Sequence, residues 1–241
     1  MKRRNLGKCS MTDCSKPTKS RERTMTQLYK LTDQNWRTRA GKFNECQWGE
    51  NITHGGTGEG ELCGPGWIHA YTDPLLAVFF NPIHAQIESP ILWIAEGEIA
   101  INDHGVKVGC KTLTTKKIVN APEVAMTNRI AFGILCAMQV YKVYKDPGFR
   151  KWATKWIDGS DRTSAAAYAA YAAYAASSAA AYAAANAANA ANAAAYAAAY
   201  AVKPAAYAAN AASNAASNAA TYAAKPLDLI ALAQRAMGIK K

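Results

Sequence analysis

The chain has 241 residues, a formal net charge of +11 and an apolar fraction of 50%. This length suits one or two domains, but the segment from Ser164 to Ala224 cannot form a core of its own, because 38 of its 61 residues are alanine. Six cysteines without a CxxC pair, and no apolar segment after the basic start, argue against a disulfide framework and predict reduced thiols in a cytoplasmic protein.

Residues 1–24 are basic and poor in apolar side chains. Eight lysines and arginines stand against Asp13 and Glu22, so the stretch contributes +6 to the net charge. The composition predicts a disordered extension. It is either an arm that binds nucleic acid, or an extension without function ahead of Met25, and the lack of interleaved aromatic residues favours the second interpretation.

Residues 25–120 predict a small α+β domain that is mostly β. A short strand at 28–32 is followed by a Gly-, Asn- and Thr-rich stretch of irregular structure. Thr72 or Asp73 can cap a helix that has Pro74 at its first position and stops before Asn81-Pro82. A strand at 91–101, a turn at 102–105 and one or two strands within 106–119 complete the domain.

Residues 121–160 predict a helical connector. The segment 128–144 has the apolar density of a buried helix, and 149–157 predicts a second helix that Gly159 ends. The final residues, 225–241, predict an ordinary amphipathic helix whose leucines give it a face for docking.

The most regular pattern of the chain lies in 161–224, which predicts a long Ala-rich helical stalk. Tyrosine, asparagine and a few other residues recur there at steps of three or four, with a mean of 3.6, the α-helical repeat. The ladder residues singled out as an interaction surface are Tyr168, Tyr171, Tyr174, Tyr182, Asn186, Asn189, Asn192, Tyr196 and Tyr200. Pro204 and Pro226 are expected to kink or divide the stalk.

Four interpretations of this ladder are open. A membrane span is disfavoured because asparagine is costly in lipid and Leu, Ile and Phe are missing. An ice-binding face would be flat and repetitive, but tyrosine is bulky. Helix pairing through the small alanine faces and a plain spacer are both favoured over these two.

Few residues predict chemistry. His69, with Tyr71 and Thr72 beside it, precedes a helix N-terminus that could bind an anion, although a histidine there can equally tie a loop to a strand. Glu98, with Glu96, lies on a strand and could bind a ribose or act as an acid, or simply face solvent. The spacing of Cys46, His54, Cys63 and His69 matches no compact zinc finger, so no metal and no cofactor are expected.

The stretch LCGPGWIHAYTDPLL, with the hairpin that follows it, resembles a small domain of unknown function common in tailed-phage genomes and bacterial relatives. The resemblance covers roughly residues 25–120 and implies a phage or prophage origin, hence the cytoplasm of a host cell. Ile68, between Trp67 and His69, departs from the pattern. The positions that match it are Cys63, Gly66, Trp67, His69, Pro74, Leu75 and Lys107.

The order of these elements is more distantly similar to ADP-ribosyltransferase-like folds, which bind NAD. That similarity implies Lys30 at the first site position, His69-Ala70-Tyr71-Thr72 at the second and Glu98 as a badly placed acid, hence a degenerate version. The sequence thus predicts a non-enzymatic phage accessory protein whose helical stalk self-associates or binds a host protein. An NAD-binding transferase-like enzyme and an ice- or surface-binding helix are the alternatives.

Overall fold

The structure, a computed structural model, describes residues 25–140, 147–164, 167, 194, 205–223 and 225–240. The described residues form seven strands and five helices. The strands are β1 Thr26–Thr32, β2 Arg37–Thr38, β3 Cys46–Gln47, β4 Thr53–Gly55, β5 Ile68–Ala70, β6 Ile91–Asp103 and β7 Lys107–Val119. The helices are α1 Pro74–His84, α2 Met126–Val140, α3 Pro147–Asp158, α4 Ala205–Tyr222 and α5 Leu229–Met237. The predicted α+β class is confirmed.

The main sheet is antiparallel and nearly closes into a ring. Strands β1, β6 and β7 are neighbours in that order, and the other edge of β7 pairs with β5 at residues 108–110 and with β4 at residues 112–114. Tyr29 of β1 and Tyr71, just after β5, then exchange two backbone hydrogen bonds of 2.8 and 2.9 Å. This bridge joins β1 to the end of β5, so β1, β6, β7 and β5 surround a small apolar interior.

Two hydrophobic clusters lie on the two sides of the sheet, because side chains alternate between its faces. The smaller cluster fills the ring, and its buried members are Leu28, Trp48, Ala70, Ala95, Val108, Cys110 and Leu113. The larger one joins Leu31 and Leu92 of the sheet to the five helices, here called the helical layer. Phe79 and Phe80 of α1 pack against Phe132 of α2 at its centre, with ring centroids 4.4 and 5.7 Å apart.

Helix α1 continues through Asn81 and Pro82 to His84, so the prediction that it stops before Asn81 is wrong. Proline has no N–H to donate to the carbonyl four residues earlier, which here belongs to Val78. Arg129 of α2 donates from Nη1 to that carbonyl at 2.8 Å. A partner more than 40 residues away in sequence therefore satisfies the carbonyl that the proline leaves open.

Helix α4 belongs to the Ala-rich segment and packs into the core. Its alanines 212, 215, 216, 219 and 220 are buried, whereas Asn214 is exposed. A Cβ on Gly133 of α2 would lie 2.9 Å from the carbonyl oxygen of Ala212 and 3.2 Å from its Cα, so the two helices are in backbone contact. This is close pairing through alanine, as one interpretation of the ladder expected, with α2 of the same chain as the partner.

The C-terminal helix docks as predicted. Asp228 caps α5 by accepting from the N–H of Ala231, and Leu229, Leu232, Ala233 and Ala236 are buried. Asn128, near the start of α2, donates from Nδ2 to the carbonyls of Ala236 and Ile239. The side chain thereby satisfies carbonyls at the end of α5 that have no helical partner.

Candidate functional site

A cleft of about 900 Å³ opens beside the bridge between β1 and β5. It is lined by β1 and β5, by the end of α1, by the loop between β2 and β3, and by both strands of the β6–β7 hairpin. Its floor consists of Lys30, His69, Tyr71, His84 and Lys107. These residues come from four parts of the fold, namely β1, β5 with the residue just after it, the end of α1 and the start of β7, and the ring geometry brings them together.

Lys30 lies in the middle of β1, between buried neighbours on the same face of the strand. Its side chain is only 9% exposed, its Nζ lies 5.1 Å from the ring centroid of Trp48, and Nζ donates to the carbonyl oxygen of His69 at 2.8 Å. Burial lowers the pKa of Lys30 from 10.5 to about 8, and the positive charge of Arg39 acts in the same direction.

Lys107 begins β7 and is 7% exposed. Its Nζ donates to Sγ of Cys63 at 3.1 Å. Cys63 is itself exposed, so the pair stands where the cleft opens to solvent. Within the part of the chain that the structure describes, neither Lys107 nor Lys30 forms an ion pair with a carboxylate.

His69 ties the loop before β5 to the strand, because its Nε2 is hydrogen-bonded to the carbonyl oxygen of Leu62. A carbonyl only accepts, so Nε2 is the protonated nitrogen. The pKa of His69 is lowered to about 4, mainly by burial and in smaller part by the charges of Lys30, Lys107 and Arg39. The ring is therefore neutral near pH 7.

Tyr71 and His84 contribute two uncharged aromatic rings to the floor. The Tyr71 hydroxyl and Nδ1 of His84 share a hydrogen bond of 3.3 Å, and the two rings stack with centroids 6.0 Å apart. Burial raises the pKa of Tyr71 and lowers the pKa of His84 to about 3, with Lys107 adding to the second shift. Both side chains stay uncharged near neutral pH, so the positive charge of the floor comes from its two lysines.

The rim of the cleft, Arg39, Lys42 and Phe43, lies on the loop between β2 and β3. Phe43 is 95% exposed, and the loop is held in shape because Glu45 accepts from the N–H of Gly41. The side chains of Arg39 and Lys42 have no hydrogen-bond or ion-pair partner in the described residues. Three further residues bring negative charge to the lining, Asp33, Glu88 and Asp103, against the positive Lys30, Arg37, Arg39, Lys42 and Lys107.

The predicted site residues divide into two groups. His69 and Tyr71 line the cleft, whereas the half-buried Thr72 follows them outside it. Glu98 lies on an exposed stretch of β6 just beyond the last β1 pair, Thr26 with Gly97, and is not part of the lining. The N-terminus of α1, where the sequence offers an anion site, is capped by Asp73, which accepts from the N–H of Leu75 at 2.8 Å.

Several predicted sites fall outside the described residues. These are the basic extension at 1–24 and the ladder residues Tyr168, Tyr171, Tyr174, Tyr182, Asn186, Asn189, Asn192, Tyr196 and Tyr200. Of the ladder that is described, Asn210 donates to the carbonyl oxygen of Pro82 at 3.3 Å and Asn214 donates to Asn210 at 2.8 Å.

The described segments bear on two further interpretations, a metal site and a membrane span. In these segments no three His, Cys, Asp or Glu residues are grouped as a metal site. No helix there is both long and apolar enough to cross a membrane.

Sequence reasoning missed the charge pair of the floor. In the sequence analysis Lys107 belongs to one resemblance and Lys30 to the other, and neither lysine is predicted to share a site with the other. A signal was present, because each lysine stands between apolar residues of a strand, in LYKLT and in VKVGC. Nothing local, however, predicts that the two strands present them to one cleft.

No protein-family model, no curated protein and no solved structure matches the chain.

Proposed function

We propose that the protein binds a small anionic ligand of the phosphate-ester class in the cleft. The observation that carries this proposal is the pair of buried ammonium groups, Lys30 and Lys107, which have no carboxylate partner in the described residues. Burying a charge is costly unless an opposite charge or several hydrogen bonds compensate it. A bound anion would supply the missing compensation.

The rest of the cleft supports the same ligand chemistry. The neutral Tyr71 hydroxyl gives the floor a hydrogen-bonding group without negative charge, and the neutral His69 ring adds no negative charge either. Arg39 and Lys42 place two further cations at the entrance, where they would attract an anion from solution. The exposed ring of Phe43 at the same entrance favours a ligand that also has an apolar or planar part.

The ligand class is compatible with one of the two resemblances. Lys30 and His69, the first two positions implied by the similarity to NAD-binding transferases, lie side by side. Glu98, the third, is on exposed strand away from the lining, which favours binding without catalysis at that position. NAD is therefore one of the compounds to test.

The wider role that the sequence predicts, a phage accessory protein that self-associates or binds a host protein, depends on different residues. Its ladder lies almost entirely outside the described chain. In the described α4 the alanine face is already covered by α2 of the same chain. This observation supports packing of the alanine face within one chain, and it does not support binding of that face to an external partner.

Calorimetric titration of the full chain tests the proposal. Pyrophosphate, ribose 5-phosphate, ADP and NAD would be titrated at low and high salt, with glucose as an uncharged control. We expect saturable binding of at least one phosphate compound that weakens as salt rises. If none of them binds, the proposal is wrong.

A matched pair of variants locates the binding. Lys107→Gln and Lys117→Gln remove the same charge from the same strand, but Lys107 lies on the cleft floor and Lys117 is exposed elsewhere. We expect Lys107→Gln to weaken binding at least tenfold and Lys117→Gln to change it less than twofold. Equal effects would show that only the net charge of the protein matters.

A further inference from the structure

Lys30 differs from an ordinary anion-binding lysine in its surroundings. Its Nζ is buried against the indole of Trp48 and held by a single neutral acceptor, the carbonyl oxygen of His69. It nevertheless lines the cleft, so a bound molecule can reach it. A buried amine at the bottom of an open cleft is accessible to a ligand and poorly solvated at the same time.

Burial is the largest influence on the pKa of Lys30 and lowers it. The thiols of Cys46 and Cys110 raise this pKa and the like charge of Arg39 lowers it, but burial outweighs all three. Lys107 and the neutral His69 share the same floor. No carboxylate forms an ion pair with Lys30 in the described chain. Burial and cationic neighbours therefore both favour loss of its proton.

We propose that Lys30 is a reactive amine that forms an imine with the aldehyde or ketone group of an anionic ligand held in the cleft. This activity goes beyond the proposed binding function and rests on it in part, because the cations of the cleft would place the carbonyl compound. The amine is already positioned by Trp48 and by the carbonyl oxygen of His69, so little reorganisation is needed.

The reaction needs no oxidant and no cofactor. The Lys30 ammonium first releases a proton to solvent, and the free amine then forms a bond to the carbonyl carbon. The nitrogen passes one proton to the carbonyl oxygen, which gives a carbinolamine. The hydroxyl of the carbinolamine takes up a second proton and leaves as water while the C=N bond forms, and the nitrogen then releases its remaining proton to replace the one taken up, so amine and carbonyl compound give imine and one water. The hydroxyl of Tyr71, which burial keeps protonated, lies in the same cleft as a proton donor for the departing oxygen.

The free-amine fraction sets the expected selectivity. With a pKa of about 8, Lys30 is unprotonated in roughly a tenth of the protein molecules at pH 7. An exposed lysine with an ordinary pKa has only about one in 2,500 unprotonated at that pH. Lys30 therefore has an advantage of roughly 200-fold in free-amine fraction over exposed lysines, before any gain from binding of the ligand.

Reductive trapping tests the inference in the intact chain. Pyridoxal 5′-phosphate, an aldehyde with a phosphate, would be added at pH 7 and reduced with borohydride, and the labelled peptides would be quantified by mass spectrometry. The exposed Lys111 and Lys117 serve as internal references. We expect Lys30 to be labelled at least tenfold faster than either reference. Labelling of Lys30 that is no faster than theirs overturns the inference, whatever the variants do.

Two controls separate this inference from the proposed function. Lys30→Arg keeps the charge and removes the reactive amine, so we expect it to lose the adduct at position 30. Phosphate binding by the wild-type protein without a Lys30 adduct would overturn the imine and leave the proposed function intact. Equal labelling of Lys30 by pyridoxal and by its phosphate, with no phosphate binding, would support the amine and overturn the anion site.

Discussion

The helical layer and the cleft treat their buried polar groups differently. In the helical layer Ser213 donates to the carbonyl oxygen of Phe79 at 2.5 Å, and Asn81 makes two hydrogen bonds to the backbone of Ile87, whereas Nε1 of Trp152 has no partner in the described residues. On the cleft floor Lys30 and Lys107 are buried to a similar degree as Asn81, but they lack a counter-charge in the described chain. The first arrangement serves stability, whereas the second leaves charge available for a ligand.

The largest effect is expected where the helical layer is tightest. Gly133→Val would place side-chain atoms where α2 and α4 are in backbone contact, because a Cβ alone would lie 2.9 Å from the carbonyl oxygen of Ala212. We expect a loss of about 3 kcal/mol in the free energy of unfolding, measured by urea denaturation. Gly238→Ala, whose Cβ would meet its neighbour at an ordinary 3.4 Å, is the control and should change little.

Acid should destabilise the protein through the cleft histidines. The pKa values of His69 and His84 are lowered to about 4 and about 3 in the folded protein, mainly by burial. The unfolded chain therefore binds more protons below pH 6.5, and the free energy of unfolding falls as the pH decreases. Between pH 7 and pH 4 we expect the free energy of unfolding of His84→Gln to fall by about 2 kcal/mol less than that of the wild type, after allowance for solvent screening. The same change at His104, which is exposed in the turn between β6 and β7, is the matched control.

The bond that permits Pro82 inside α1 should be measurable. Arg129→Met removes the donor to the carbonyl oxygen of Val78 and leaves that group buried without its partner. The expected loss is about 1 to 2 kcal/mol, read from the shift of the denaturation midpoint. Arg235→Met, at an exposed position of α5, should stay within about 0.5 kcal/mol of the wild type. A similar loss in both variants would mean that the bond to Val78 is unimportant.

The smallest effect should have the opposite sign. Lys30→Met replaces a buried ammonium by an uncharged side chain of similar length, so we expect the free protein to gain about 1 kcal/mol at pH 7. The gain should shrink as the pH rises from 8 towards 10.5, because the folded wild-type protein there releases the proton that the unfolded chain still holds. Phosphate binding should weaken in the same variant. A loss of stability at pH 7 would contradict the comparison between the two regions.

Local patterns predicted much of the fold and little of the site. The strand at 91–101, the turn around Gly105 and the docking of the last helix follow from side-chain periodicity and turn chemistry, which short segments contain. The predicted end of α1 was wrong, because the carbonyl that Pro82 leaves without a donor is satisfied by Arg129, which belongs to another helix. The cleft was missed for the same reason, since its floor depends on how the ring closes.

The bridge between Tyr29 and Tyr71 also bears on how fast the molecule can form. Strand β1 pairs with β6, about 60 residues further along the chain, and cannot complete the ring until β5 has been added to β7. Ser213 meets Phe79 across 134 residues of sequence. Contacts this distant require long loops to close before they contribute any stability, and that places refolding in the slow range of roughly milliseconds to seconds.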